Sequence, residues 1–404
     1  ASDVYKRQVQ NLPPAVHSLP TRWLTQLMAR LERGRLDVRF GETHYCAQGT
    51  LPGPQAELRI TNPLRMLRKV ATGGDVGFAE AYMDGDWDSP ELAVLLEVLA
   101  GNLPAIRRVR DGSAIAHLWN RVRHWLNRNS RSGSRRNIAY HYDLGNEFYA
   151  RWLDPSMTYS SGLFNAPGES LAQAQRNKYT RLLDWLEAKS QDHILEIGCG
   201  WGGFAREARQ RGHRVTGISL SREQLAWATQ ALAASGTSER VCLRYQDYRD
   251  VKEQFDHIVS IEMFEAVGET YWPNYMETLK RCLKPGGRAA VQVITIEDSA
   301  FERYRRRADF IQRYIFPGGM LPTPSRFVRL AEQAGLRVMH QSMHGEDYAQ
   351  TIAAWHRRFM QAQSALRDMG FEERFLRMWR YYLAYCEAGF RTGRINLMQI
   401  CLTH

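Results

Sequence analysis

One short run, HILEIGCGWGGFAREA at residues 193 to 208, constrains the fold more than any other part of the chain. His193 to Ile197 are apolar enough for a short buried strand, Gly198 to Gly203 form a glycine-rich turn, and Phe204 to Ala208 resume helical spacing. A strand, a tight turn and a helix start bring a ligand against bare backbone, where unpaired N–H groups and the helix dipole favour oxygen acceptors. The glycines alone leave the ligand open between a dinucleotide, a phosphate and other molecules.

The surroundings repeat this alternation. Arg214 to Ser219, Val241 to Tyr245, His257 to Glu262 and Arg288 to Thr295 are further strand candidates, separated by helical stretches that include Ser221 to Ala234 and Trp272 to Leu283. Such alternation predicts an α/β fold with a mostly parallel, doubly wound sheet that binds ligands at the carboxyl ends of its strands. Upstream, residues 20 to 106 read as a small α+β domain. Thr21 to Glu32 is an amphipathic helix, Leu36 to Ile60 alternates like a meander broken at Pro52 and Pro54, and Val76 to Leu99 returns to helical periodicity. Residues 1 to 19 read as a tail whose first residues are a fragment end or a non-native addition. Residues 107 to 136 are a basic linker in which nine arginines and two tryptophans face one acid, Asp111. That stretch reads either as a solvated connection or as an interfacial segment meeting lipid phosphate.

A formal net charge of +11 points to an anionic partner, either nucleic acid or the acidic face of a membrane. The six cysteines lie far apart without metal-ligand spacing, which predicts reduced thiols, no metal and a cytoplasmic location. No apolar run approaches the roughly 20 residues a spanning helix needs, so any membrane contact is expected to be peripheral, at the inner face.

Ligand choice narrows with the neighbouring motifs. A nicotinamide dinucleotide calls for an acid near the end of the second strand, but RVTGISLS offers Ser219 and Ser221, and no G-K-[ST] follows for a phosphate loop. LEIGCGWGG, then QDYRD after the third strand and KPGG before the fifth, resembles the class I S-adenosylmethionine-dependent methyltransferases. A narrower resemblance extends from about residue 20 to the C-terminus. HYDLGNEFYARWLDPSMTYSSGLF, SREQLAWA, SIEMFEAVG, RYIFPGGMLPTP and DYAQTIAAWHRRF together resemble the cyclopropane-fatty-acyl-phospholipid synthase family.

The resemblance implies a Rossmann-like methyltransferase domain over residues 137 to 404, with an acyl-pocket insertion near 296 to 325, preceded by the small α+β, lipid-engaging domain. It implies S-adenosylmethionine as cofactor. Tyr159 and Ser160 would approach its methionine end, Glu196, Gly198, Gly200 and Gly202 its backbone turn, Ser219 and Gln224 its ribose, and Asp247 and Tyr248 its adenine. It also implies methylene transfer to the double bond of an unsaturated phospholipid acyl chain through a carbocation, with a bound bicarbonate closing the cyclopropane. Glu265, Tyr348 and Ile294 match the family's anion site. Ser161 stands where the family has Cys and Gln292 where it has His; Glu262 replaces Gly and Ala266 replaces His. Ser161 and Gln292 retain polar groups, so an anion site can survive, and because Glu265, Ile294 and Tyr348 remain, cyclopropanation is the favoured expectation. The alternatives are lipid C-methylation without ring closure and a non-catalytic lipid-binding protein. A further segment, ERYRRRADFIQRYIFPGGMLP, reads as a lid that touches anionic headgroups. The resemblance brings no nucleic-acid partner, and a homodimer is compatible with it.

Overall fold

The computed structural model describes residues 24, 28–103, 144–234, 236 and 240–404. The tail, half of the Thr21 to Glu32 helix and the basic linker lie outside these residues. The chain divides into two compact units, one of residues 1–122 with 363–392 and one of residues 123–362 with 393–404.

In the first unit, β1 (Arg33–Phe40), β2 (Thr43–Gln48), β3 (Leu51–Ile60) and β4 (Trp87–Asp88) form a sheet in the order β2-β1-β3-β4. The arrangement is not the expected meander. After the β1–β2 hairpin the chain crosses the start of β1, and β3 pairs parallel to β1 on its other side. Glycine permits that crossing: a Cβ on Gly34 would lie 2.4 Å from the Pro54 carbonyl oxygen, and one on Gly49 would lie 2.5 Å from the Glu32 backbone. Pro52 and Pro54 do not break β3, because they fall in its irregular, unpaired beginning where a missing N–H costs no ladder bond.

Residues 363–392 are the main departure from the expected domain limits, since they cluster with the first unit rather than with the methyltransferase-like region. The Glu373–Arg391 helix buries Leu376, Trp379, Leu383 and Phe390. Its Arg377 lies over the Tyr82 ring at 4.0 Å and pairs with Asp88 at 2.8 Å. Close helix packing also depends on Gly77, whose added Cβ would sit 1.9 Å from the Lys69 carbonyl oxygen. Gly77→Ala should therefore destabilise this unit by about 3 kcal/mol, the upper part of the usual overpacking range, read as a lower urea midpoint.

The second unit contains a seven-stranded sheet. Its strands are β5 (His193–Ile197), β6 (Arg214–Ser219), β7 (Val241–Tyr245), β8 (Phe255–Ile261), β9 (Leu283–Ile296), β10 (Arg337–Met343) and β11 (Ile395–Thr403), in the order β10-β11-β9-β8-β5-β6-β7. β5 through β9 are mutually parallel, whereas β11 is antiparallel to β9 and β10. The five expected strands are present, with β9 extended backwards through the KPGG turn, where the pairing with β8 shifts register. Chain direction around the sheet reverses at β5, between β6 and β8, which opens a crevice at the carboxyl ends of those strands.

Candidate active site

Around the crevice, the end of β5 supplies the turn. Gly198, Gly200 and Gly202 have φ values of 84°, 50° and 81°, in the left-handed region where a side chain is strained. Nothing lies within 4 Å of where a Cβ on Gly200 would be, and the Gly203–Gln210 helix starts immediately afterwards, with its Ala205 N–H bonded to Glu196. Glu196, just before the turn, is buried. Burial pushes its carboxyl up to about 8 against the attraction of Lys178, and its Oε2 has no hydrogen-bond partner among the described residues. An open backbone cradle beside an unsatisfied carboxyl fits the amino-acid end of S-adenosylmethionine.

The ends of β6 and β7 carry the other expected cofactor residues. Ser219 donates to Gln224 Oε1 at 3.3 Å, and both are buried. Asp247 is brought to the same edge, but Arg249 grips both its oxygens at 2.8 and 2.6 Å. The Tyr248 ring stands edge-on to Tyr275, with centroids 5.6 Å apart, and burial pushes its hydroxyl up to about 12.

Tyr159 enters an aromatic wall, its ring centroid 5.5 Å from Tyr149, 5.5 Å from Trp152 and 5.4 Å from Trp355. Tyr149 continues the wall to Trp201 in the glycine turn at 5.2 Å. Behind Tyr159, Ser160 is held by two residues that sequence reasoning missed, Gln175 and Lys178 of the Leu171–Leu186 helix. The signal was a lysine and a glutamine three positions apart on the apolar face of an amphipathic helix.

Beyond the end of β8, the expected anion site has a different occupant. Glu262, with φ of 50°, turns its side chain inwards; its Oε1 accepts from the Ser161 N–H at 2.9 Å and from Gln292 Nε2 at 2.8 Å, and its Oε2 accepts from the Tyr348 hydroxyl. The side chain of Ser161 contributes no donor here, because its hydroxyl is given to the Gly162 carbonyl at 2.9 Å. Gln292 is oriented from its other end by Gln399, which donates to Gln292 Oε1 at 2.8 Å from the directly opposed position on β11. With these donors engaged by an internal carboxylate, bicarbonate does not fit the site.

Glu265 lies on the Phe264–Ala266 turn beside Glu262. Its Oε1 accepts from the Ile294 N–H, and its Oε2 is buried without a partner among the described residues. Burial and then the neighbouring Glu262 push the Glu265 carboxyl up to about 8. The insertion near 296–325 closes this side: the Met320 N–H donates to the Glu265 carbonyl at 2.8 Å, and the Ile296 N–H to that of Pro322 at 2.9 Å. Its arginines are partly committed. Arg305 pairs with Glu269 at 2.9 Å, while Arg326 and Arg306 approach Glu302 at 2.8 and 3.7 Å.

The switch-point crevice, glycine turn and buried carboxyl define a class I S-adenosylmethionine-dependent methyltransferase. Residues 129–400 match the family described as mycolic acid cyclopropane synthetase, and the chain belongs to that family. It is 40% identical over 383 residues to the tuberculostearic acid methyltransferase UfaA1 of Mycobacterium tuberculosis, covering 90% of this chain and 87% of that protein. It is 33% identical over 359 residues to the cyclopropane-fatty-acyl-phospholipid synthase of Escherichia coli K12, covering 85% and 87%. Among solved structures, the mycolic acid cyclopropane synthase CmaA1 complexed with SAH and CTAB superposes with a TM-score of 0.63 at 27% identity, over 67% of this chain and 98% of that one. The chain is therefore an enzyme of a lipid-modifying family rather than a lipid-binding module.

Proposed function

We propose that this enzyme methylates the double bond of an unsaturated lipid acyl chain and releases an open-chain, methyl- or methylene-branched product. The observation that carries the reading is the engagement of Ser161 N–H, Gln292 and Tyr348 by Glu262. These groups match the positions where the family resemblance puts bicarbonate. Ring closure, favoured by the sequence alone, thereby loses the base on which it depends. The relative named as a tuberculostearic acid methyltransferase supports the same reading.

Glu196, the turn from Gly198 to Gly202, Ser219 and Gln224 are the groups to hold S-adenosylmethionine, with Tyr248 beside its adenine. Bound there, S-adenosylmethionine supplies an electrophilic methyl group. The alkene π electrons would form the new carbon–carbon bond as the sulfur–methyl bond breaks, the sulfur keeping that electron pair and leaving as S-adenosylhomocysteine, with a cation left on the acyl chain. The Glu262 carboxylate and the rings of Tyr159, Tyr348 and Trp355 stabilise that charge in a dry site. Glu265 Oε2, without a partner among the described residues, accepts the proton whose loss restores a double bond. The net charge of +11 and the basic insertion support presentation of the substrate at an anionic membrane surface.

The test is incubation with methyl-labelled S-adenosylmethionine and vesicles of monounsaturated phospholipid. The expected acyl product is heavier by one methylene, takes up hydrogen catalytically and shows no ring protons by NMR. A cyclopropane product overturns the reading.

A further inference from the structure

The Tyr159 to Ser161 segment rests on a fully buried lysine. Lys178 donates from Nζ to Ser160 Oγ at 2.6 Å and to Gln175 Oε1 at 2.6 Å, while Gln175 Nε2 donates to the Ser160 carbonyl at 2.8 Å. An ammonium can only donate. Ser160 Oγ is therefore the acceptor in that bond, and its own proton must go elsewhere. No described residue accepts it.

The segment that carries Ser160 runs beside the glycine turn. Thr158 Oγ1, two residues before Ser160, lies 3.1 Å from where a Cβ on Gly203 would be, and the Tyr159 ring connects through Tyr149 to Trp201. The carboxyls of Glu196, Glu262 and Glu265, all raised by burial, suit the amino and sulfonium cations of the cofactor once ionised and then oppose its carboxylate. Lys178 lies within the attraction of Glu262, Asp154 and Glu196, and its ammonium form offsets their charge. We infer that Lys178 is a positioning residue that fixes Ser160 as a hydrogen-bond donor to the methionyl carboxylate of S-adenosylmethionine. Burial pushes the lysine down to about 7, and a carboxylate arriving nearby favours its charged, donor-only form.

The inference concerns cofactor binding and is independent of which acyl product forms. Calorimetric titration of the full chain with S-adenosylhomocysteine and with 5′-methylthioadenosine, which lacks the amino-acid group, separates positioning from general structural support. Lys178→Met should weaken S-adenosylhomocysteine binding about tenfold, the scale of one charge-assisted hydrogen bond, and leave methylthioadenosine affinity unchanged. Ser160→Ala should show the same discrimination, and the double variant should bind no more weakly than Ser160→Ala alone. Lys178→Gln keeps a polar group in the buried space but offers an amide oxygen that can take the Ser160 proton, so it should reproduce the selective loss should the methionine variant not fold. Equal losses for both ligands, additive losses in the double variant, or unchanged S-adenosylhomocysteine affinity would overturn the assignment.

Discussion

Replacing Glu265 with Gln should lower kcat by roughly 10²–10³, the range of a lost general base, while S-adenosylhomocysteine affinity stays the same. The substitution is close to isosteric. Its amide oxygen can still accept the Ile294 N–H, so the turn from Phe264 to Ala266 is retained while the basic oxygen is lost. The same assignment sets a pH dependence. Burial and Glu262 raise the Glu265 carboxyl to about 8, and only the deprotonated form accepts a proton. Methyl transfer should therefore rise with pH through about 8 and fall off below it. Glu262→Gln removes the like charge and should move this limb to lower pH. Single-turnover transfer of a labelled methyl group across the pH range measures both effects. An unaltered rate in Glu265→Gln would mean that another group takes the proton.

Glu262→Gly should change the product itself. The residue occupies a left-handed conformation, φ 50°, which costs a non-glycine residue roughly 1–2 kcal/mol, so glycine fits the backbone at least as well. Removing the side chain frees the Ser161 N–H, Gln292 Nε2 and Tyr348 hydroxyl together. These donors then face an anion-sized gap, and methyl transfer by the variant should become about tenfold faster with added bicarbonate, a modest share of the usual general-base effect. The parent enzyme should show no such response. Cyclopropane protons should appear in the NMR spectrum of the variant's acyl product. A variant that neither responds to bicarbonate nor makes a ring would show that Glu262 does not determine the outcome.

Much of the second unit was legible because its signals are local. A buried strand, a glycine turn and an amphipathic helix each announce themselves within a dozen residues, and β5, β6 and β7 lie where their apolar runs predict. β11 was not legible. INLMQICLT is a short, almost wholly buried run that periodicity cannot distinguish from a core helix segment, and its neighbours β9 and β10 are reached only through the fold. The same difficulty hid the assignment of residues 363–392. An amphipathic helix states that it has an apolar face, but not which core receives that face.

At the site, the replacements at 161, 262, 266 and 292 were visible as residue types, but their consequence was not. Ser161 and Gln292 retain polar atoms, which preserved the expectation of an anion site. The Ser161 hydroxyl turns to its own neighbour's carbonyl, and Gln292 is aimed by Gln399, 107 residues away. Lys178 belongs to no motif of the sequence, and only the fold brings its nitrogen within hydrogen-bonding distance of Ser160.

By itself the sequence determined the alternation of strands and helices and the backbone turn at the end of β5, because each depends on interactions between residues near one another in the chain, while the cofactor class came from the resemblance of the motifs around that turn. The tertiary structure alone decided that a carboxylate at residue 262 meets donors from residues 161, 292 and 348. Which hydrogen bonds a buried charge makes depends on which distant groups share its dry space, and chain spacing does not encode that distance.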